Sequence, residues 1–398
     1  MGESPEITDP LAALEAAHEA FEAATDFTVG VEEEFAILDP RTLDLAPRFE
    51  SFAAAAAAGE GPLKGHVAGE LIRSEVEVRT GRRESFPAAV DAIARRRVDL
   101  VDLADRLGVR LAGTGTHPFS RWQDQQVIDT PHYHLVEQTL RYVAWRNNTF
   151  GIHVHTGVRG ADRAVAVMDA MRTVLPELLA ASASSPWLEG VRTHLHSTRT
   201  QIFTRAFPRC GIPEPFGDWR TYADHVRFLV ETGSIVEHTQ IWWSVRLHQS
   251  FPTVETRICD AQPEFSEAVA LAGLMVALTA DFARRYDEGR PLPSHPGRQL
   301  EENLWRAIRW GMDGRLIDLE QRREVPARAR LDALLESVSE TAGELGVAPF
   351  LTPLEHSNAA QRYSAQLDDG ATPAELWPLV VERTHESARE WLSLRQAG

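Results

Sequence analysis

Four short segments of the chain place chemically competent side chains two residues apart. They are Glu32 and Glu34 in GVEEEF, Glu75 and Glu77 in SEVEVRT, His153 and His155 in GIHVHTGV, and Glu255 and Arg257 in TVETRIC. All four have the β-branched and apolar content of strands, and strand side chains at i and i+2 point to one face. A single E-x-E is common on an antiparallel sheet, and a lone H-x-H is as often structural as functional. Four such segments are a different matter, because like charges on neighbouring strands repel. A sheet face carrying this many carboxylates needs cations. Carboxylates with one or two imidazoles suit Mg²⁺ or Mn²⁺ better than zinc, and clustered carboxylates fit phosphoryl chemistry in which two or more metal ions neutralise nucleotide phosphates.

The elements that must position these groups follow from pattern. The opposite faces, Val76 and Val78, Ile152 and Val154, Val254 and Ile258, are apolar enough to pack on helices, leaving the polar faces open to solvent or lining a cleft. Glu33 breaks this rule, because it shares a face with Val31 and Phe35; it requires a partner of its own or an exposed edge. Helices are predicted over 8–25, 50–58, 86–107, 130–148, 161–183 (with a break at Pro176), 264–288 and 299–311, and throughout the C-terminal third. Strands are predicted at 27–39, as a pair around 67–80, after Gly108, and over 238–248 and 251–260. In the Trp- and Arg-rich stretch 187–222, the Gly and Pro content of RCGIPEPFGDW predicts a long loop. Strands and helices alternate irregularly, which predicts an α+β fold with a largely antiparallel sheet and helices on one face. Residues 1–26 read as a helical or flexible leader, and 27–398 as one domain.

Composition narrows the function. The formal charge of −17 argues against nucleic acid or an anionic membrane as partner. It also means that an anionic substrate needs local cations or arginines. Of the 41 basic residues, Lys64 is the only lysine, and no P-loop pattern surrounds it. No apolar run is expected to span a bilayer. The acidic, Ala-rich N-terminus lacks the features of a signal peptide, so a cytoplasmic location is expected. Cys210 and Cys259 form no disulfide framework and no zinc motif; they read as packing residues, as do Met168, Met171 and Met312.

GVEEEF, the spacing Glu70…Glu75-x-Glu77, FGIHVH, TVETRICD, RCGIPEPFGDW, EHTQIWWSVRLH and NLWRAIRWGMDGRLID together resemble the type 2 glutamate–cysteine ligases, also called carboxylate–amine ligases, over roughly residues 27–365. The resemblance implies a glutamine-synthetase-like fold, with ATP and Mg²⁺ (two or more ions, Mn²⁺ as a substitute) on the concave face of a curved antiparallel sheet, helices on its convex side, and a homodimer. It implies that L-glutamate is phosphorylated on its γ-carboxylate and joined to an amine such as L-cysteine. Carried over by motif, Glu32, Glu34, Glu77 and Glu255 are expected metal ligands, with Glu70 and His153 as further ones. Glu70 lies seven residues before Glu77, so a bulge or bend must intervene. Arg257 is expected to contact the transferred phosphate or the substrate carboxylate. Arg73, Arg79, Arg199 and Arg205 are further candidates for glutamate or nucleotide, and His155 is expected to support the site. GTGTHPF (113–119) resembles a family loop beside the active site; on its own, Gly113 and Gly115 read as turn residues. Two competing readings are a metal-dependent amidohydrolase, which predicts a parallel barrel, and a non-catalytic relative that binds nucleotide or amino acid.

Overall fold

The computed structural model describes residues 9–58 and 61–397; the first eight residues of the 1–26 leader and residues 59–60, ahead of the predicted strand pair, lie outside the described residues. Its centre is an antiparallel sheet of seven strands: β1 (Val29–Leu38), β2 (Val67–Ala68), β3 (Glu75–Arg79), β4 (Arg110–Ala112), β5 (Ile152–Gly157), β6 (Val245–His248) and β7 (Thr253–Thr256). The order is β6-β7-β5-β1-β3-β2, with β4 pairing the end of β1 at Ala36–Leu38, beyond the Val29–Glu33 stretch paired to β5. Every pairing in this sheet is antiparallel, so the parallel barrel expected of an amidohydrolase is absent among the described residues.

One face is apolar and lies on helices. Val31, Phe35, Val76, Val78, Ile152, Val154, Val245 and Val254 are all buried in one core. Against them pack α3 (Phe86–Leu107), α6 (Ala161–Met171) and α10 (Phe265–Asp287), helices numbered here in chain order with α1 (Pro10–Glu22), α2 (Phe49–Ala57), α4 (Pro131–Leu140), α5 (Tyr142–Trp145), α7 (Leu175–Ser182), α8 (Thr198–Ala206) and α9 (Trp219–Glu231). The strength of α3 is legible in its ends. The Ser85 hydroxyl accepts from the Ala88 amide, Pro87 occupies the first turn, and Gly108 closes the helix at φ 67° in the left-handed region. α1 buries Leu14, Ala17 and Phe21 in the same core. Burying each aliphatic side chain on this face contributes roughly 1.5–3 kcal/mol, which is what fixes the register of the polar face above.

Several expectations are corrected. α10 is long and apolar enough to cross a membrane by length and composition alone; it is the central core helix, buried along most of its length. The helix over 130–148 is broken into α4 and α5 at Arg141, which adopts φ 50°. The 161–183 helix breaks into α6 and α7 through a tight turn at 172–174, with Pro176 in the first turn of α7. Residues 238–240 form a single 3₁₀ turn, not strand. The C-terminal third is not wholly helical: Arg315–Asp318 and Arg323–Pro326 form an antiparallel hairpin. Gly113 and Gly115 follow β4 into a bend with no positive φ, so a left-handed turn is not what requires glycine there. A Cβ on either would lie 2.6 Å from Gln262 O or Asp260 Oδ2, so both permit close packing behind the sheet.

Candidate active site

The register brings the predicted pairs into rows on the face away from the helices. Glu32 lies opposite Arg79 on β3 and His153 on β5; Glu34 lies opposite Glu77. His155 lies opposite Glu255, and Glu255 opposite Arg246. These rows form one wall of a cleft of about 310 Å³, which Glu70, Glu75, Arg199 and Arg257 also line. Glu70 reaches it because the chain leaves β2 at Ala68 and enters β3 at Glu75. The connection supplies the bend that the seven-residue spacing demanded. Arg257 follows the last residue of β7 directly.

Two sets of donors converge. Oxygen and nitrogen atoms of Glu34, Glu77 and His153 lie within 4.8 Å of one another, as do those of Glu32, His153 and Glu255. His153 belongs to both, with Nδ1 at 3.5 Å from Glu32 and Nε2 at 3.5 Å from Glu34. Burial, then Arg257, hold its imidazole below its ordinary value and so neutral. A neutral ring has one lone-pair nitrogen, so His153 can ligate one ion while its other nitrogen donates to a carboxylate.

The carboxylates divide by how well the chain itself balances them. Both oxygens of Glu255 are taken: Arg246 Nε donates to Oε2 at 2.7 Å, Arg246 Nη2 to Oε1 at 3.2 Å, and Arg257 Nη1 also to Oε1. Burial opposes ionisation there, but Arg246 and Arg257 hold Glu255 well below the usual range. Glu32 is likewise held low against its burial by His155, His153 and Arg79. Glu75 and Glu77 are each 1% exposed and each keeps one buried oxygen without a hydrogen-bond partner. Burial and neighbouring carboxylates push both well above the ordinary value, and push Glu70 up to about 7. Arg79 bonds Glu77 and approaches Glu32 at 3.5 Å, which does not neutralise the group. Buried oxygens without donors, beside neutral imidazole nitrogen, are the donor set a hard divalent cation takes, so the residues fit Mg²⁺ or Mn²⁺.

Arg199 is wedged into the wall. Its Nη1 donates to Ile258 O at 3.1 Å and Nη2 to Arg257 O at 3.3 Å. This approach requires Gly151, where a Cβ would overlap the guanidinium. Asp260, buried behind it, accepts from the Ser184 amide and the Ser185 and Ser197 hydroxyls. His155 Nδ1 meets Thr253 Oγ1 at 3.0 Å, while Nε2 lies 3.6 Å from Glu32.

Two predicted residues are not brought to the cleft. Arg73 pairs with Glu50 at 2.6 Å and Gln126 at 2.6 Å on the outside of the β2–β3 connection. Arg205 is on the outer side of α8, paired with Glu301. The structure adds Arg246, His248 and Glu75. Arg246 and His248 form a fifth i, i+2 pair, in SVRLH, that the alternation of Val245 and Leu247 signals. His132 and Tyr133 of α4 line the cleft too. No sequence signal marks these two, because tertiary packing alone carries α4 there. A second cavity of about 460 Å³ meets the first at Glu32, Arg79, His155 and Phe251; its further lining is mostly small residues, including Ala20, Ala23, Val29 and Val31, with His66 and Arg82 also on it.

Comparison with known proteins agrees with this geometry. A curated protein of Rubrobacter xylanophilus named "Putative glutamate--cysteine ligase 2-2" is 39% identical over 326 residues, covering 81% of this chain and 83% of the relative. One of Solibacter usitatus, named "Putative glutamate--cysteine ligase 2", is 37% identical over 339 residues, covering 84% and 87%. Among solved structures, a glutamate–cysteine ligase from Francisella tularensis in complex with AMP superimposes with a TM-score of 0.63 at 12% identity, covering 92% of this chain and 89% of that one. A bifunctional glutathione synthetase from Pasteurella multocida gives 0.63 at 13%, covering 96% of this chain and 54% of that one. At these identities the structural likeness establishes the fold. The pattern of glutamate-cysteine ligase family 2 matches residues 28–386, nearly the whole chain, and the protein is an enzyme of the ligase type belonging to that family.

Proposed function

We propose that the protein phosphorylates the γ-carboxylate of L-glutamate with ATP and joins the activated acyl group to an amine, giving a γ-glutamyl amide, ADP and phosphate. The observation that carries this reading is the sheet face itself: carboxylates the chain leaves unbalanced stand beside buried arginines in one cleft. Such a surface suits a reaction that brings two anions together. A carboxylate is a poor acyl donor because oxide leaves badly, and phosphorylation replaces that leaving group.

Glu34, Glu70, Glu77 and His153, with Glu32 and Glu255 across the next row, are the residues proposed to hold two or more Mg²⁺ ions. When bound, these ions neutralise phosphate charge and polarise the transferred phosphoryl group. The chain supplies the rest. Arg257 and Arg199 present fixed positive charge to the developing anion without reorganising, since carbonyl and carboxylate partners already hold them. Arg246 balances Glu255 and so leaves Arg257 available to the substrate. The apolar second cavity suits a nucleotide base, with Arg79 and His155 at the junction facing its phosphates. The proposal includes a homodimer, which a mass measured in solution tests.

Mixing the protein with Mg-ATP, L-glutamate and a panel of amines, and following ADP, tests the whole reading. Glutamate-dependent ADP release is expected with at least one amine, together with a product heavier than glutamate by that amine less water. Absence of such release with every amine overturns it, and ammonia released from an amide without ATP would favour a hydrolase.

A further inference from the structure

The cleft changes character beyond Arg199. Three rings, Phe203, Phe207 and Trp242, form an aromatic wall there. Phe203 lies on α8 and Phe207 is the extended residue just past its end, with centroids 4.8 Å apart, and Phe207 meets Trp242 edge-on at 5.6 Å. Trp242 is held by the parallel pairing of Cys210–Gly211 with Trp242–Trp243. The guanidinium of Arg199 lies over the Phe203 ring at 6.0 Å, and that of Arg209 over Trp242 at 5.5 Å. None of these rings belongs to a core cluster of the described residues, whereas the adjacent Trp243 is a core residue. Phe203 and Trp242 are half-buried, whereas Phe207 is buried between them and the protein. Phe203 and Trp242 therefore keep ring surface that the fold itself does not cover.

We infer that this wall is the side-chain subsite of the acceptor, and that the acceptor is an amine bearing an aromatic or large apolar group; the inference rests on the ligase reading above. Position separates the acceptor from the nucleotide base. An attacking amine must come within about 3–3.5 Å of the acyl carbon, and a group on the wall touches the arginines proposed to flank that carbon. A base lies a ribose and a triphosphate chain away, and the apolar cavity beyond Arg79 provides for it. Chemistry separates it from cysteine. A thiol on one methylene fills a small recess, whereas three rings offer stacking surface to a planar or branched apolar group.

The test uses the full chain with Mg-ATP and L-glutamate, and compares phenethylamine, L-phenylalanine, methylamine and L-cysteine by ADP release and product mass. The expected result is a kcat/KM for at least one of the two aromatic amines at least about tenfold above those for methylamine and L-cysteine, the scale on which apolar pockets discriminate. In Trp242→Ala and Phe203→Ala, checked for folding by their thermal midpoints, the ratio of aromatic amine to methylamine should fall about tenfold, with the KM for ATP within about twofold of the parent. L-cysteine preferred over both aromatic amines overturns the inference, even with the ligase reading intact. So does an unchanged ratio in a folded variant, or a tenfold rise in the KM for ATP, which would assign the wall to the base. No ADP with any amine overturns the ligase reading and this inference with it.

Discussion

The two faces of β1 treat their carboxylates in opposite ways. On the helix side, Glu33 meets Arg97 of α3 at 3.0 Å, one acid to one base, both almost wholly buried. Arg97 also donates to Gln262 O and Pro263 O and lies over Phe35 and Phe265. Burial still pushes Glu33 up and Arg97 down from their ordinary values, and Glu33 Oε2 and Arg97 Nε keep no hydrogen-bond partner, but the two opposite charges cancel within one closed pair. On the other face, Glu32 and Glu34 stand in a field of further carboxylates, some with oxygens that no donor satisfies. Adjacent residues of one strand thus face a structural ion pair on one side and the candidate site on the other. The difference that marks the candidate site is not burial of charge, which both faces have, but several buried charges of one sign without matching counter-charges.

The sharpest way to break this contrast is Glu77→Gln. Removing an unbalanced carboxylate should cut activity by about 100-fold or more while the thermal midpoint holds or rises, because a repulsive group has gone. Full activity would remove Glu77 from the site. The counterpart on the helix face is Glu33→Gln, which leaves Arg97 buried and unpaired. A loss of about 3–5 kcal/mol in a denaturant titration is expected, with turnover per folded molecule kept. Replacing both members, Glu33→Leu with Arg97→Met, should recover most of that loss, since a packed apolar pair is often as stable as a buried ion pair. If the double variant is no better than the single, the pair is not the closed unit described.

A pH series sharpens the contrast further. Glu70, Glu75 and Glu77 have folded-state values raised above the unfolded one, to about 7 for Glu70. The folded protein then holds these protons more tightly than the unfolded chain, so their contribution is present below the unfolded value of 4.5 and is lost as pH rises through about 7 and above. Metal-free protein should lose several degrees of thermal midpoint between mildly acidic and neutral pH. Added Mg²⁺ should restore them at the upper end, where deprotonated ligands bind it, and do little at the lower. A midpoint that ignores Mg²⁺ at neutral pH would mean the face does not hold the ion.

The polar face was legible because its signal is local: alternation by two in GVEEEF, SEVEVRT and GIHVHTGV fixes which side chains share a side, and the register then only had to align them. The same rule applied to SVRLH would have found Arg246, whose role as counter-charge to Glu255 depends on the β6–β7 pairing. Glu75 was undervalued for the opposite reason. Its spacing was plain, but its lack of a partner is a property of the packed cleft. The partner of Glu33 could not be read, because Arg97 is 64 residues away on a helix whose sequence contains Arg95, Arg96 and Arg97 in a row; only the docking of α3 selects one. Helix ends with caps, as in α3, were readable. The break at Arg141 was not, since a left-handed arginine leaves no compositional trace.

The smallest effect expected sets the floor against which both faces are measured. Arg73 and Arg205 are arginines that motif resemblance placed among the candidates and the fold places outside the cleft. Each pairs with a glutamate in contact with water, Glu50 or Glu301. There the Coulomb attraction is screened, and ordering two long side chains cancels much of it, so such a pair is worth about 0–1 kcal/mol. Arg73→Ala and Arg205→Ala should therefore shift stability by no more than that, and leave the KM values for ATP and glutamate within about twofold of the parent. Arg257→Ala in the same assay should lose most of the turnover, because its guanidinium lines the cleft beside Glu255. Equal losses in all three would mean that the cleft is not where the anions bind, and that exposure, not partnership, had been the wrong dividing line between the arginines.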